Sequence, residues 1–126
     1  MMRTFPGAAA LSLAFVIATG SAAAPDITGT WSASFDTQIG RQDYTYQFQV
    51  KGSLLTGKAS SANGESDILN GKVDGEKVTF LENFTYQGMT IPITYAGSIA
   101  SVDEIKFTRR VAQFASEALV AHRVKP

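Results

Sequence analysis

Residues 42–51 read Gln-Asp-Tyr-Thr-Tyr-Gln-Phe-Gln-Val-Lys. Apolar side chains occupy every second position from Tyr44 to Val50, and polar side chains occupy the positions between them. A period of two residues is typical of a β-strand with one buried face and one solvated face. The segment therefore predicts a half-buried strand, and it sets the phase in which the neighbouring segments are read.

The same alternation recurs through most of the remaining chain, with no sustained helical period. It predicts further strands over about 28–36, 54–61, 66–73, 77–86, 89–99, 105–111 and 115–124. Asn63-Gly64, Asp74-Gly75 and Gln87-Gly88 mark tight turns between strands, because these residue types tolerate a positive φ. We therefore expect an all-β fold of eight antiparallel strands in up-and-down order. Closure into a barrel is favoured because it removes the two exposed edges, and a two-sheet β-sandwich is the alternative.

The N-terminal segment has the composition of a secretory signal peptide. A basic start at Arg3 precedes an apolar run over residues 8–19 and small residues over 21–24. We predict a signal peptide over 1–23, one β-barrel domain over 24–126, and a periplasmic or secreted location. No apolar stretch offers the roughly 18 residues of a transmembrane helix with any margin, so no membrane span is expected.

Charge and residue counts disfavour several classes of function. The sequence has 11 basic and 11 acidic residues, alternating in sign without blocks, which argues against binding to nucleic acid. It has no cysteine and one histidine, His122, so we expect neither a disulfide nor a metal site. No motif for a cofactor is present, and none is predicted.

The aromatic face of the predicted strands should point into the barrel, and two charged residues share its phase. Glu82 and Arg109 alternate with apolar neighbours, and burying either charge alone would cost several kcal/mol, so they should be paired or anchor a ligand. The predicted ligand-binding residues are Tyr44, Tyr46, Phe80, Glu82, Tyr86, Tyr95, Phe107 and Arg109.

Three functions are consistent with that interior. The first is an exported barrel that binds a small, partly apolar ligand among these side chains. The second is a cofactor-free enzyme of the proton-transfer, isomerase or cyclase type, in which Glu82, Arg109 and His122 are the candidate catalytic groups. The third is an interaction or inhibitor module that acts through loops such as residues 36–43.

Gly29-Thr30-Trp31 on the first strand, with Arg123 on the last, resembles the signature of calycins, the lipocalin and avidin type of barrel. The resemblance implies that Trp31 plugs one end of the barrel and that Arg123 lies across its ring. The stretches at 27–31 and 55–58 are similar to the avidin family, whose biotin pocket has several tryptophans where this sequence has one. The chain also resembles small secreted bacterial β-domains, which implies the same fold and export.

Overall fold

The computed structural model describes residues 24–125, so the predicted signal peptide over 1–23 lies outside the described residues. This part of the chain forms eight antiparallel strands. They are β1 (Gly29–Thr37), β2 (Gly40–Lys51), β3 (Leu54–Ser61), β4 (Gly64–Asp74), β5 (Lys77–Tyr86), β6 (Met89–Ser101), β7 (Glu104–Val111) and β8 (Ala115–Arg123). Each strand pairs with the next, and β1 pairs with β8 to close the barrel. The predicted up-and-down barrel is confirmed, and the sandwich alternative is wrong.

Alternation along the strands separates the interior from the surface. In β2, the residues at 42, 44, 46 and 48 are buried and those between them are exposed. The other strands follow the same rule with local exceptions, so their buried residues form one core inside the barrel. In residues 24–125 no helix is long and apolar enough to cross a membrane.

Two glycines allow the sheet to bend sharply at β3 and β4. A Cβ on Gly57 would lie 1.7 Å from the Gln47 carbonyl oxygen, and a Cβ on Gly71 would lie 2.2 Å from that of Leu55. The β3–β4 ladder shifts register between Leu55 and Lys58, next to these contacts. Such bulges and glycine bends give a small barrel the curvature that it needs to close.

Two of the predicted hairpins differ in detail from each other. Gln87 and Gly88 have φ values of 52° and 80°, as expected for a primed two-residue turn. At the hairpin between β3 and β4, however, the turn residues are Ala62 and Asn63, and Gly64 opens β4 with φ 126°. The hairpin is therefore correctly predicted there, but the turn lies one residue earlier than Asn63-Gly64.

The barrel has one closed end and one open end. At the closed end, Trp31 is fully buried, its indole Nε1 donates to the Ile27 carbonyl at 2.9 Å, and the Arg123 guanidinium lies 4.6 Å from the ring centroid. Arg123 also donates to the carbonyls of Asp26, Thr28 and Val102, which ties the N-terminal segment and the β6–β7 turn across that end. The open end is formed by the turns β1–β2, β3–β4, β5–β6 and β7–β8.

Candidate binding site at the open end of the barrel

Aromatic side chains fill the part of the barrel interior that lies farther from the open end. The rings of Phe80 and Tyr95 stack with centroids 4.2 Å apart, and Phe107 meets both of them edge-on at 5.7 Å. Tyr46 stacks on Tyr44 at 5.3 Å and meets Tyr95 edge-on at 5.7 Å. Offset-stacked and edge-on contacts at these distances are those of a packed core.

On the side of this core that faces the open end, four polar side chains form a closed ring of hydrogen bonds. Arg109 donates from Nε to the Tyr95 hydroxyl at 2.9 Å and from Nη2 to the Tyr44 hydroxyl at 3.0 Å. Those two hydroxyls donate to the two oxygens of Glu82, at 2.9 Å from Tyr95 and 3.0 Å from Tyr44. Glu82 and Arg109 are 1% and 3% exposed, so the predicted inward pair is bridged by tyrosines.

The direction of every bond in this ring follows from Arg109. A guanidinium has donors and no acceptor, so both tyrosine oxygens must accept from it and must point their protons at Glu82. The Tyr46 hydroxyl, 3.0 Å from that of Tyr95, must then be the donor of that contact, because the Tyr95 proton is already committed. Glu82 accepts on both oxygens, an arrangement that favours the carboxylate.

Burial acts against that carboxylate. Desolvation raises the pKa of Glu82 above its ordinary value, although the hydrogen bonds from Tyr95 and Tyr44 and the positive charge of Arg109 lower it in part. Burial likewise raises the pKa values of Tyr46 and Tyr95, so both hydroxyls keep their protons at neutral pH. The ring therefore places two tyrosine hydroxyls of fixed orientation between one cation, Arg109, and one anion, Glu82, whose burial is unfavourable.

A second carboxylate reaches Arg109 from the neighbouring strand. Glu117 lies opposite Arg109 in the β7–β8 ladder, and its Oε1 accepts from Nη1 of Arg109 at 2.6 Å. The side chain of Glu117 is 9% exposed, which makes this ion pair a nearly buried one. The guanidinium carbon also lies 5.1 Å from the Tyr44 ring centroid and 5.2 Å from that of Phe35.

A cavity of about 110 Å³ opens above Arg109 and Glu117 at the open end of the barrel. Apolar side chains form most of its wall, and Arg109, Glu117 and Gln42 supply polar groups. Its lining residues are Thr37, Gln38, Ile39, Gln42, Phe84, Tyr86, Ile91, Ile93, Arg109, Val111, Phe114, Ala115 and Glu117. Small-molecule sites commonly combine an apolar wall with a few polar groups in this way.

The mouth of the cavity carries exposed apolar side chains on separate turns. Ile39 is 43% exposed on the β1–β2 turn, and Phe114 is 64% exposed on the β7–β8 turn. The Gln38 side-chain amide lies 3.5 Å from the Phe114 carbonyl oxygen, so the two turns lie against each other. Apolar surface kept exposed at the rim of a cavity is a feature of binding sites.

A larger, shallower groove of about 900 Å³ follows the outside of the barrel between β1 and β8. The strands pair at Trp31 with Arg123 and at Ser32 with His122, and the groove runs from there toward the open end. Its polar side chains, including those of Ser34 and Lys106, are exposed to solvent. The smaller cavity therefore offers the more enclosed site.

The predicted site residues divide between the core and the cavity. Tyr86 and Arg109 line the cavity, whereas Tyr44, Tyr46, Phe80, Glu82, Tyr95 and Phe107 lie in the packed interior beside or below it. Glu82 does not line the cavity, and each of its oxygens is held by a tyrosine. His122 is exposed on β8 opposite Ser32, so it is not brought together with Glu82 and Arg109.

Sequence reasoning missed two largely buried polar side chains of the site, Gln42 and Glu117. Gln42 continues the buried phase of Tyr44 and Tyr46 toward the open end, and that phase could have identified it. Glu117 alternates with Leu119 and Ala121 on β8, a pattern that could have placed it inside the barrel. Within residues 24–125, no group of three or more His, Cys, Asp or Glu side chains is arranged to hold a metal ion.

No protein-family model matches this chain, and no curated protein matches it. Among solved structures, it is similar to a redesigned β-barrel, b11L5F_LGL, with a TM-score of 0.59 and 14% sequence identity over 79% of this chain and 92% of that one. It is also similar to the redesigned β-barrel mFAP1 bound to DFHBI, with a TM-score of 0.51 and 13% identity over 78% of this chain and 94% of that one. At these identities the two likenesses show a shared fold, the closed eight-stranded β-barrel.

Proposed function

We propose that this protein binds a small, partly apolar molecule in the cavity at the open end of its barrel. The observation that carries the proposal is an apolar cavity whose floor is a buried, hydrogen-bonded ion pair, Arg109 with Glu117. A floor of this kind gives a ligand a fixed polar anchor. The wall and the exposed rim at Ile39 and Phe114 remove its apolar part from water.

The size of the cavity limits the enclosed part of the ligand to about one ring. An engineered apolar cavity of about 150 Å³ holds benzene, and the cavity here has about 110 Å³ below an open mouth. A ring seated on Arg109 and Glu117 would extend toward the mouth, between Ile39 and Phe114. Larger substituents would have to lie outside the barrel.

Two further observations support a ligand-binding barrel. The similar redesigned barrel mFAP1 is a structure bound to the small molecule DFHBI, so this architecture can hold a small molecule. The Trp31 and Arg123 contact at the closed end supports a calycin-like barrel, which leaves the opposite end free for a ligand. The signal-peptide pattern of residues 1–23 supports the proposal that binding takes place in the periplasm or outside the cell.

The experiment that tests the proposal compares two tryptophan substitutions on β8. Ala115→Trp fills the cavity from its wall, whereas Ala118→Trp adds the same side chain at an exposed position on the outer face of the same strand. We expect toluene to shift the methyl resonances of Ile93 and Val111 in the unmodified protein and in Ala118→Trp, and to leave them unshifted in Ala115→Trp. Absence of these shifts in the unmodified protein, or equal shifts in all three proteins, would overturn the proposal.

A further inference from the structure

The polar groups of the cavity have hydrogen-bonding capacity that the protein does not use. Arg109 has five N–H groups, and three of them donate to Tyr95, Tyr44 and Glu117. One N–H on Nη1 and one on Nη2 have no acceptor among residues 24–125. Since Arg109 lines the cavity, a molecule that enters it lies beside this side chain.

Gln42 and Glu117 add one donor group and one acceptor. Gln42 is 9% exposed and its Oε1 accepts from Asn63 Nδ2 at 3.1 Å, whereas its Nε2 has no acceptor in the described part of the chain. Glu117 Oε1 is held by Arg109, and Oε2 has no donor from residues 24–125. Buried polar atoms are normally satisfied, so these groups require water or a ligand.

The charges around the floor disfavour an ionised ligand of either sign. Arg109 carries one positive charge. The Glu117 carboxylate accepts from it directly, and the Glu82 carboxylate accepts from the two tyrosine hydroxyls that are bonded to Arg109. An anionic headgroup that contacted Arg109 would lie beside the Glu117 carboxylate, 2.6 Å from the guanidinium. A cationic headgroup that contacted Glu117 would lie beside Arg109, and it would offer that guanidinium no acceptor.

We infer, on the basis of the proposed binding function, that the ligand has an uncharged amide-type headgroup on a ring-sized apolar body. The carbonyl oxygen accepts from the free N–H groups of Arg109, with Gln42 Nε2 as a second donor. The amide N–H donates to Glu117 Oε2. A carboxamide, lactam or urea presents this donor and acceptor side by side, and so it fits adjacent groups of opposite type without adding a charge.

Three probes of the same shape test the inference, because benzamide, benzoate and benzamidine differ in headgroup charge and hydrogen bonding. Toluene serves as the probe without a polar headgroup. We expect benzamide to bind at least about tenfold more tightly than either ion when Kd is measured by NMR titration at neutral pH. Tightest binding by benzoate or benzamidine would overturn the inference. Toluene binding without any gain for benzamide would overturn it and leave the binding function standing, and no binding by any probe would remove both.

Glu117→Gln provides a second test that does not depend on absolute affinity. Removing the negative charge beside Arg109 should strengthen benzoate binding relative to benzamide by about tenfold, because the anion then no longer meets the carboxylate that is bonded to Nη1 of Arg109. Glu76→Gln is the matched control, since Glu76 is exposed on a turn at the closed end. It should leave the ratio of the two affinities unchanged. An unchanged ratio in Glu117→Gln, with the fold intact by NMR, would contradict the assigned role of this carboxylate.

Discussion

Removing a single hydroxyl from Tyr46 or from Tyr95 should have very different effects on stability, although the two side chains are almost equally buried. Tyr46 makes one hydrogen bond in the interior, to the Tyr95 hydroxyl. Tyr95 makes three, since it donates to Glu82 and accepts from Arg109 and Tyr46. The change in volume is the same in both tyrosine-to-phenylalanine variants. The difference in stability between them therefore reports the hydrogen bonds that each hydroxyl makes.

The magnitudes follow from what each variant leaves unpaired. Tyr46→Phe loses one neutral hydrogen bond while Tyr95 keeps its two charged partners, so it should cost about 1 kcal/mol. Tyr95→Phe leaves an oxygen of Glu82 and the Nε–H of Arg109 without partners, and it orphans the Tyr46 hydroxyl. A hydrogen bond to a buried charged group contributes roughly 1.5 to 3 kcal/mol, so losing two of them together with the bond from Tyr46 should cost about 4 to 7 kcal/mol.

Urea unfolding of residues 24–126 measures both losses, provided that the slope with denaturant is unchanged. The double variant is the internal control. Once Tyr95 is phenylalanine, the Tyr46 hydroxyl has lost its partner, so removing it as well should cost nothing further and the two effects should be non-additive by about 1 kcal/mol. Equal losses in the two single variants, or additive losses in the double variant, would refute a ring in which Tyr46 donates to Tyr95 and Tyr95 donates to Glu82.

Three other predictions concern pH, the closed end and the bends of the sheet. Since the pKa of Glu82 is raised by folding, the unfolding free energy should fall as pH rises above about 4.5, and Glu82→Gln should flatten that slope in urea titrations at several pH values. Arg123→Met removes the cation over Trp31 and three hydrogen bonds to carbonyls, and thermal unfolding should show a loss of about 2 to 4 kcal/mol. Gly57→Ala should cost more than about 2 kcal/mol in the same assay, because its Cβ meets backbone, whereas Gly52→Ala, with open space around it, should cost about 1.

The barrel could be predicted from the sequence because a period of two leaves little freedom. Each segment that alternates from Tyr44 onward must bury one face, and hairpins with short turns force neighbouring segments to pair in chain order. The position of a turn within a hairpin is less constrained. The hairpin around residues 61–64 shows this, since Ala62 and Asn63 take the turn and Gly64 uses its positive φ to begin β4.

The candidate site could be predicted in part. Glu82 and Arg109 share the phase of the aromatic face, so their burial follows from local alternation. The partners that hold them do not, because Arg109 faces Glu117 through the register of β7 with β8, and Tyr44 reaches Glu82 across the barrel from β2 to β5. Phase indicates which side chains point inward, and the closed barrel decides which of them meet.

Arg109 lies between the core of the barrel and the cavity. Residues that bond to it fix the floor of the cavity, whereas other residues form the wall and the rim. The Nε of Arg109 and one N–H of its Nη2 donate to the tyrosines that hold Glu82, while one N–H of its Nη1 donates to Glu117 at the cavity floor. The floor is therefore fixed by the same bonds that order the interior, and a change there alters stability and binding together. The side chains of Ala115 in the wall and of Ile39 and Phe114 at the rim are apolar and make no hydrogen bonds, so these positions are free to determine which ring fits above a floor that stays the same.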